Sequence, residues 1–484
     1  MSVYIQDLSL TIPLVILFVM SMLPVAVKVA GGNEEPRPVL TFVFGVAALA
    51  LTGVAISLRA TNEFSLAFQN TIVYSPLIKL TTTLLIVSTL FTTLMAYRHP
   101  AIPRNQYSEH MFLLLNTLLG MFVLVYSHDL ILTFVGIELL SLPLYVLIGI
   151  GGNSFVPKES SFKYFILGSF ASAFLLFGAA FIYGATQTTE ISTILDRAEG
   201  ANQVYLTLGV MIFLIGLFFK VALVPFHAWL PDVYQGAPTP ITSFMASSVK
   251  IAIFVFLLSF VPVIRLVESK TVVYMLQWVA ILTMFFGNLI ALKQTNFKRM
   301  IAYSSIAHSG YLFLGIIAAI LGSEVAAVQG IMYYLLTYLF MTIGVFAVIC
   351  MYEKTQDTEI TLDSLKGLAK SNPWLAAGLA ALLLSLAGIP PFGGFFAKVF
   401  LFTSALEAEQ FWLVVWAVVS SVIGVYYYLK PVVFMYMKEK ETAGEFIQNE
   451  SPGSLATLIV SVAMVILLGL LAQPFLTKIL NTGI

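Results

Sequence analysis

Long apolar runs alternate with short polar connections along the whole chain. A helix that crosses the hydrocarbon core of a bilayer needs about 20 mostly apolar residues, and fourteen runs of the chain are close to that length. No polar connection is long enough to hold a soluble domain, so residues 1–484 are predicted to form a single all-α polytopic membrane domain. The fourteen predicted helices lie near residues 9–27, 39–58, 73–97, 110–126, 129–150, 161–184, 204–224, 240–262, 272–292, 300–321, 326–351, 373–405, 410–436 and 454–476.

Proline interrupts this apolar pattern twice within predicted helices. The seventh helix reaches Lys220 through the run LTLGVMIFLIGLF, and Pro225 then breaks it before a polar, proline-rich stretch. The twelfth helix is broken by the segment 390–394, which reads PPFGG. Proline inside a helix costs about 3 kcal/mol, and backbone groups that are freed at membrane depth need protein or water around them. The two breaks therefore predict either local hydration, as a proton path requires, or simple packing kinks.

A weak internal repeat relates the two breaks to each other. The segment YVLIGI at 145–150 is similar to YLFLGI at 311–316, and Pro225 corresponds to Pro391, both at an offset of 166 residues. Each unit holds five predicted helices, and an odd number of crossings forces the two units into opposite orientations. Inverted repeats with broken helices at corresponding positions are typical of transporters. The predicted units are residues 110–262, with helices 4–8, and residues 272–436, with helices 9–13.

Composition agrees with a membrane protein and narrows the chemistry. The chain is 59% hydrophobic and 10% charged, whereas soluble domains contain about 25% charged residues. The formal net charge is zero, so a nucleic-acid partner is not expected. The sequence has one cysteine, Cys350, and shows no glycine-rich nucleotide loop, cysteine cluster or haem motif. We therefore expect no redox chemistry in this chain itself.

The basic residues of the connections predict the orientation. Thirteen lysines and arginines lie in connections on one side of the predicted membrane and five on the other. The richer side is expected to be the cytoplasm, and an even number of helices then places both termini outside it. The first apolar run lacks a preceding basic segment and a small-residue cleavage site, so we expect it to be a retained helix.

Four ionisable side chains lie deep inside predicted helices: Glu138, Lys220, Lys250 and Lys398. Each costs about 2.5–3.5 kcal/mol at the bilayer centre on insertion scales. A structural pair between Glu138 and Lys220 explains part of the set, but one carboxylate cannot neutralise three lysines. Because desolvation brings the pKa of lysine and glutamate side chains towards neutral pH, we interpret the four as proton-exchange sites.

Three further side chains are secondary candidates. His227 lies at the first break and His308 near the middle of the tenth helix, where a histidine either relays protons near neutral pH or forms structural hydrogen bonds. Lys163 lies just inside the sixth helix, where it is either a partner of Glu138 or a lysine that extends its amine to the interface. The basic run Lys293–Arg299 is interpreted as a cytoplasmic anchor of the positive-inside type.

Four motifs resemble the antiporter-like membrane subunits of respiratory complex I. They are VGIELLSLPLY, FKVALVPFHAWLPDVYQGAPTP, KRMIAYSSIAHSGY and GIPPFGGFFAKVFLF. The resemblance covers nearly the whole chain, and the motif that begins just before Lys220 is among the most diagnostic of that family. Within the family the chain is most similar to the subunit N branch. Its length fits that branch, it has no C-terminal extension for a lateral helix, and it has a lysine at Lys398 where subunit M has a glutamate.

The resemblance implies a role for each charged position. It implies that this chain moves protons within a larger complex, while NADH, FMN, iron–sulfur clusters and quinone are bound by other subunits and not by this chain. The implied partners are a neighbouring antiporter-like subunit, small hydrophobic subunits and lipids, in the bacterial inner membrane. The matching positions are Glu138 and Lys220 as a coupled pair, Lys250 as the central connecting lysine, Lys398 as the terminal lysine, and His227 and His308 as polar groups along the same axis.

Three alternatives stay open on the sequence. A subunit of a multi-subunit Na+/H+ antiporter and a subunit of a photosynthetic complex I have similar motifs, whereas a passive scaffold for quinone-reducing subunits belongs to another class. Co-purification with flavin- and iron–sulfur-containing subunits excludes the antiporter. A passive scaffold predicts that neutralising Glu138, Lys220, Lys250 and Lys398 together leaves coupling intact.

Overall fold

A computed structural model describes residues 2–31, 38–58, 64–150, 155–267, 269–353, 359–439 and 451–480. In these ranges the chain is almost entirely helical, with one antiparallel hairpin of two short strands. Thirteen of the described helical segments are long and apolar enough to cross a membrane. The elements are α1 (Ser2–Gly31), α2 (Pro38–Ser57), β1 (Ser65–Ala67), β2 (Ile72–Tyr74), α3 (Pro76–Ala96), α4 (Tyr107–Tyr126), α5 (Leu130–Gly149), α6 (Phe155–Thr186), α7 (Ile191–Arg197), α8 (Gln203–Lys220), α9 (Trp229–Gly236), α10 (Thr239–Phe244), a π-helical turn (Met245–Val249), α11 (Lys250–Arg265), α12 (Lys270–Leu292), α13 (Phe297–Ile320), α14 (Glu324–Tyr352), α15 (Leu368–Ser371), α16 (Pro373–Ala387), α17 (Gly393–Glu407), α18 (Phe411–Met437), α19 (Pro452–Leu470) and α20 (Ala472–Leu480).

The predicted crossing that is missing from these thirteen segments is the twelfth, near residues 373–405, and it is a broken helix. The two halves, α16 and α17, have 15 residues each, so each rises only about 22 Å, less than a hydrocarbon core of about 30 Å. Residues 388–392 join them. The other break lies between α8 and α9, where residues 221–228 form turns. The predicted all-α polytopic membrane fold with two broken helices is therefore confirmed.

Two predicted helices differ from the structure by more than small shifts of their ends. Residues 73 and 74 are expected to begin the third helix, but they belong to strand β2. The helix α3 begins only after Ser75, whose hydroxyl accepts a hydrogen bond from the Ile78 N–H at 3.3 Å, with Pro76 in the first turn. The apolar segment Ile72–Tyr74 continues the hydrophobic run, and hydropathy alone does not separate a short strand from a helix end. The last predicted helix is divided at Leu471 into α19 and α20.

The centre of the bundle differs from its periphery in burial. The segment α10–α11 and the helices α13 and α14 are buried along nearly their whole length. In contrast, α1, α2, α6, α12, α18 and α19 expose many large apolar side chains, as helices that contact lipid or another membrane subunit do. The polar candidates on α11 and α13 therefore lie on the helices that are most remote from lipid.

Glycines bring corresponding helix pairs into close contact. A Cβ on Gly120 of α4 would lie 2.3 Å from the Leu140 nitrogen of α5, and a Cβ on Gly287 of α12 would lie 2.6 Å from the Ala307 nitrogen of α13. Small residues allow such backbone contact between helices in membranes. Both positions of the second pair follow those of the first by 167 residues (287 − 120 and 307 − 140). This correspondence supports the repeat, whose boundaries remain a prediction.

Side chains satisfy backbone groups that the two breaks release. At the first break the Trp229 indole donates to the Phe219 carbonyl at 3.0 Å, and the Val224 N–H donates to the Thr283 hydroxyl at 2.9 Å. At the second break the Gly394 N–H donates to the hydroxyl of Ser385 at 3.0 Å. Irregular backbone at membrane depth is tolerated only where protein or water completes its hydrogen bonds, and here protein groups complete several of them.

We expect the alanine variants Gly120→Ala and Gly287→Ala to destabilise the protein by about 1–3 kcal/mol each, because the added methyl group overlaps a neighbouring backbone. The matched control is Gly53→Ala on α2, where the nearest atom is 3.9 Å from the added Cβ. This control should be neutral or stabilising by up to about 1 kcal/mol. Thermal inactivation midpoints of the assembled protein in membranes measure the difference, and equal midpoints for all three variants would contradict the close contacts.

Candidate functional site

The predicted lysines are enclosed by the protein. Lys220 and Lys250 are 2% exposed and Lys398 is 7% exposed. Glu138 is half-buried on α5, near the lateral surface of the bundle. A lysine amine this far from solvent requires hydrogen-bond acceptors from the protein, and the structure supplies acceptors for all three.

Glu138 and Lys220 contact neighbouring serines on two helices. The Ser172 hydroxyl of α6 donates to the Glu138 carboxylate. The Lys220 amine donates to the Ser141 hydroxyl at 2.9 Å. Because Ser141 follows Glu138 by three residues on α5, both acceptors lie on the same side of that helix. The predicted pair is therefore close in space, but each side chain is hydrogen-bonded to a different serine.

Lys250 lies immediately after the π-helical turn Met245–Val249. Its amine donates to the Ser305 carbonyl of α13 and lies 5.3 Å from the ring centroid of Tyr338 on α14. The Tyr338 hydroxyl donates to the Ser305 hydroxyl at 3.0 Å. Single π turns in helices frequently occur at functional sites, and this one sets the direction of the central lysine.

Lys398 is held by the second break. Its amine donates to the Ala387 carbonyl, at the last residue of α16, at 2.9 Å and to the Ser421 hydroxyl of α18 at 2.8 Å. It also lies 5.4 Å from the ring centroid of Tyr311. An added Cβ on Gly388, whose φ is +83°, would approach the Lys398 side chain to 2.9 Å. The glycine therefore permits both the turn and the close approach of the lysine.

His308 lies between Lys250 and Lys398. Its Nδ1 is hydrogen-bonded to the Tyr334 hydroxyl and its Nε2 to the Tyr428 hydroxyl at 2.9 Å. The histidine ring packs against Tyr338 on the Lys250 side and against Tyr311 on the Lys398 side, with centroids 5.0 Å and 5.8 Å away. The polar row thus contains a histidine between two lysines.

The tyrosines of this row were not identified as candidates from the sequence. Tyr334 and Tyr338 are one turn apart on α14 and face the same histidine. A phenol both donates and accepts a hydrogen bond, so it can receive a proton and release another. The available signal was the four-residue spacing of two tyrosines within an apolar run.

Two secondary candidates lie away from the row. His227 is half-buried in the connection between α8 and α9, where burial lowers its pKa. The candidate contact between Lys163 and Glu138 is not formed, because Lys163 instead pairs with Asp232 at 3.1 Å and with Glu159 at 2.8 Å. Both carboxylates lie within reach of its long side chain in the N-terminal part of α6.

Asp232 connects three elements at the same end of the bundle. Its carboxylate accepts hydrogen bonds from Arg299 of α13 at 2.6 Å and from Lys163 of α6 at 3.1 Å. Burial alone raises the pKa of Asp232, but the two cations outweigh burial and lower it. The interpretation of Lys293–Arg299 as a surface anchor is therefore incomplete, since Arg299 forms an interhelical ion pair.

The sequence reasoning also missed a buried ionic cluster. Lys298, expected at the membrane surface, is only 6% exposed. Its amine contacts the carboxylate of Glu353, which also lies 3.1 Å from the imidazole of His99. No pattern in the sequence places these three residues together, because they are separated by long stretches of chain. Among the described residues, no group of three or more His, Cys, Asp and Glu side chains is arranged to hold a metal ion.

Comparisons with known proteins bear on the family to which the chain belongs. The family model described as NADH:quinone oxidoreductase/Mrp antiporter, TM, matches residues 127–424. A protein named NADH-quinone oxidoreductase subunit N from Bdellovibrio bacteriovorus is 40% identical, over 98% of both chains.

Solved structures give the same result at the level of the fold. A chain of respiratory complex I from Thermus thermophilus superposes with a TM-score of 0.80 at 32% identity, over 96% of this chain and 99% of the other. A chain of the Mrp complex from Dietzia sp. gives a TM-score of 0.83 at 23% identity, over 98% and 96% of the two chains, and this match concerns the fold alone. From its motifs, its fold and these relatives, we conclude that the chain belongs to the NADH:quinone oxidoreductase/Mrp antiporter family of membrane subunits.

Proposed function

We propose that this chain is the proton-translocating membrane subunit of an NADH:quinone oxidoreductase, of the subunit N type. Electron transfer takes place in other subunits, which bind NADH, FMN, iron–sulfur clusters and quinone, and this chain uses the released energy to move protons. The observation that carries the proposal is the row of three buried lysines with His308 between the last two. The 40% identity to a named subunit N over nearly the whole chain favours this function above the Na+/H+ antiporter.

Glu138, Lys220, Lys250 and Lys398 are the proposed proton-exchange sites, and His308 is the proposed relay between the last two. Moving one charge against 100 mV requires about 2.3 kcal/mol. Since a tenfold change in proton affinity corresponds to about 1.36 kcal/mol, the affinity of a lysine in the row must change about 50-fold between its two states. A change of charge on a neighbouring member of the row supplies this difference through electrostatic repulsion in a poorly solvated site.

The neutral acceptors of the lysines suit such an exchange. Lys220 and Lys398 are bonded to hydroxyl or carbonyl oxygens, and Lys250 is bonded to a carbonyl. A neutral oxygen stabilises the ammonium less than a carboxylate does, so the proton can leave without an anion remaining unpaired in the bundle. His227 and Lys163 are proposed to modulate proton transfer near the first break.

The remaining assignments are proposals that follow the same family. The chain is placed in the bacterial inner membrane with both termini outside the cytoplasm, and its partners are a neighbouring antiporter-like subunit, small hydrophobic subunits and lipids. Residues 110–262 and 272–436 are proposed as the two inverted units. The matched glycine contacts of α4–α5 and α12–α13 support these units.

The variant Lys220→Ala should lower proton pumping and coupled NADH oxidation by at least about tenfold, since a positioned proton-transfer group contributes about 10²–10⁴-fold. Pumping is measured in inside-out membrane vesicles that contain the assembled complex. The control is Lys370→Ala, which removes a lysine that is 72% exposed and paired with Glu439, and which should pump normally. Full pumping by the Lys220 variant would refute the proposed function.

The variant Tyr334→Phe should lower coupled proton pumping about fivefold, because it removes a hydrogen bond to His308 worth about 1 kcal/mol. The matched control is Tyr333→Phe on the same helix, whose buried hydroxyl donates to the Leu468 carbonyl, outside the row. Both variants lose one buried hydroxyl, so they separate proton relay from general destabilisation. Equal pumping per assembled complex in the two variants would exclude Tyr334 from the row.

A further inference from the structure

A buried ionic cluster lies at one end of the bundle, outside the row of lysines. It consists of Lys298 at the start of α13, Glu353 directly after α14, and His99 after α3. The Lys298 amine contacts one oxygen of the Glu353 carboxylate, and the other oxygen lies 3.1 Å from the Nε2 of His99. The side chains of Glu353 and His99 are each 2% exposed.

The stability of the fold does not account for this cluster. Buried ion pairs can often be replaced by apolar side chains with no loss of stability, so their presence calls for another explanation. Burial alone raises the pKa of the Glu353 carboxyl, but the Lys298 ammonium and the hydrogen bond to His99 outweigh burial and hold the pKa at about 2. Glu353 is therefore an anion at neutral pH, next to the imidazole of His99.

The cluster is accessible from the surface through His99. A cleft of about 450 Å³ is lined by His99 together with Arg98, Arg104 and Tyr107. A second cleft, of about 380 Å³, is also lined by His99 and lies against Cys350. The imidazole thus lies where these two surface clefts meet the buried carboxylate.

The cluster contacts the two helical segments that position the central lysine, α13 and the segment that leads into α10. Lys298 and Ser305 lie on the same face of α13, two turns and about 10 Å apart, and the Ser305 carbonyl accepts the hydrogen bond from Lys250. The Lys298 amine also donates to the Ala237 carbonyl at 3.3 Å, two residues before α10, the helix that leads to Lys250.

Buried hydroxyl groups lie along α10, between Ala237 and Lys250. Thr239 and Ser243 are one turn apart on α10, both are fully buried, and neither hydroxyl oxygen has a hydrogen-bond partner within the described protein. Ordered water commonly satisfies buried hydroxyls of this kind. The segment from Ala237 to Lys250 therefore has the groups that a hydrogen-bonded path requires.

We propose that Lys298, Glu353 and His99 form a proton-uptake site that supplies Lys250 from this end of the bundle. The inference rests on the proposed function, and in the proposed orientation this end faces the cytoplasm, from which the protons must come.

The proposed transfer moves one proton at a time and no electrons. Water in the cleft gives a proton to Nδ1 of His99, whose present contact is a long hydrogen bond from the Ala101 N–H at 3.3 Å, and a hydroxide ion leaves with the solvent. The Lys298 ammonium first releases a proton towards α10, which removes the charge that keeps Glu353 deprotonated. The Nε2 proton of His99 then passes to the Glu353 carboxylate, which restores a neutral imidazole, and Lys298 recovers this proton from Glu353.

Other titratable groups surround the cluster and contribute to its pH response. His110 on α4 is fully buried, its ring nitrogens have no hydrogen-bond partner within the described protein, and it interacts electrostatically with His99. Cys350 on α14 interacts electrostatically with Glu353 and Lys298. The other titratable or charged groups that line the two clefts are Tyr97, Arg98, Arg104 and Tyr107.

The test measures NADH-driven proton pumping and NADH oxidation against pH in inside-out vesicles that contain the assembled complex. We expect Glu353→Gln and His99→Gln to act like the unsubstituted protein at acidic pH and to lose activity at alkaline pH, by up to about tenfold per pH unit once protonation limits the flux. His99→Gln retains an N–H donor for Glu353 and keeps the ion pair with Lys298, so it tests the proposal even if Glu353→Gln fails to assemble.

The matched control is Glu324→Gln, which breaks the pair with Arg265 at 3.0 Å at the opposite end of the same helix. It should leave the pH profile unchanged. If the pH profile of His99→Gln has the same shape as that of the unsubstituted protein, the cluster is only a structural contact. The same conclusion follows if pumping falls by the same factor at every pH. The variant Lys250→Ala distinguishes failure of the proposed function from failure of the uptake site. Full pumping by Lys250→Ala refutes the proposed function. If Lys250→Ala loses pumping but the pH profile of His99→Gln is unchanged, only the uptake site is refuted.

Discussion

Lipid offers no hydrogen bonds, and this single constraint explains much of the structure. Every backbone group that a helix break releases must find its partner within the protein or in enclosed water. At the first break Trp229 and Thr283 are partners of this kind, and at the second Ser385 and Lys398 are. The groups that make irregular backbone possible thus lie beside the groups that are proposed to exchange protons, and Lys398 belongs to both sets.

The two kinds of buried lysine in this chain have different partners. Lys220, Lys250 and Lys398 are bonded to neutral oxygens, whereas Lys298 is bonded to the carboxylate of Glu353. A carboxylate stabilises a neighbouring ammonium more than a neutral oxygen does, and in the proposed uptake site the carboxylate of Glu353 also returns a proton to Lys298 after each release. Lys298 is therefore positive between transfers, whereas the charges of the three lysines in the row are proposed to change.

Hydropathy and proline positions were sufficient to predict the number of crossings, both breaks and the enclosed lysines. Each of these depends on a local property, namely a long apolar run, a missing backbone donor or a charge within such a run. The contacts of His308 with Tyr334 and Tyr428 could not be predicted, because three helices meet there and pairing across helices leaves no periodic signal. The contact between Lys298 and Glu353 could not be predicted for the same reason. The partner of Lys163 could not be predicted either, because it depends on where Asp232 packs.

The ends of the half-helices add one electrostatic consequence. A helix carries a partial negative charge of about half an elementary charge at its C-terminus, and an unbroken helix exposes that pole only to water at the membrane surface. Here Lys220 is the last residue of α8, and the amine of Lys398 contacts the carbonyl of Ala387, the last residue of α16. Each break thus places a negative pole inside the bilayer next to a cation. These dipoles, typically worth about 0.3–1 kcal/mol and up to about 2 kcal/mol when partly buried, allow the bundle to retain more positive than negative side chains without an additional acid.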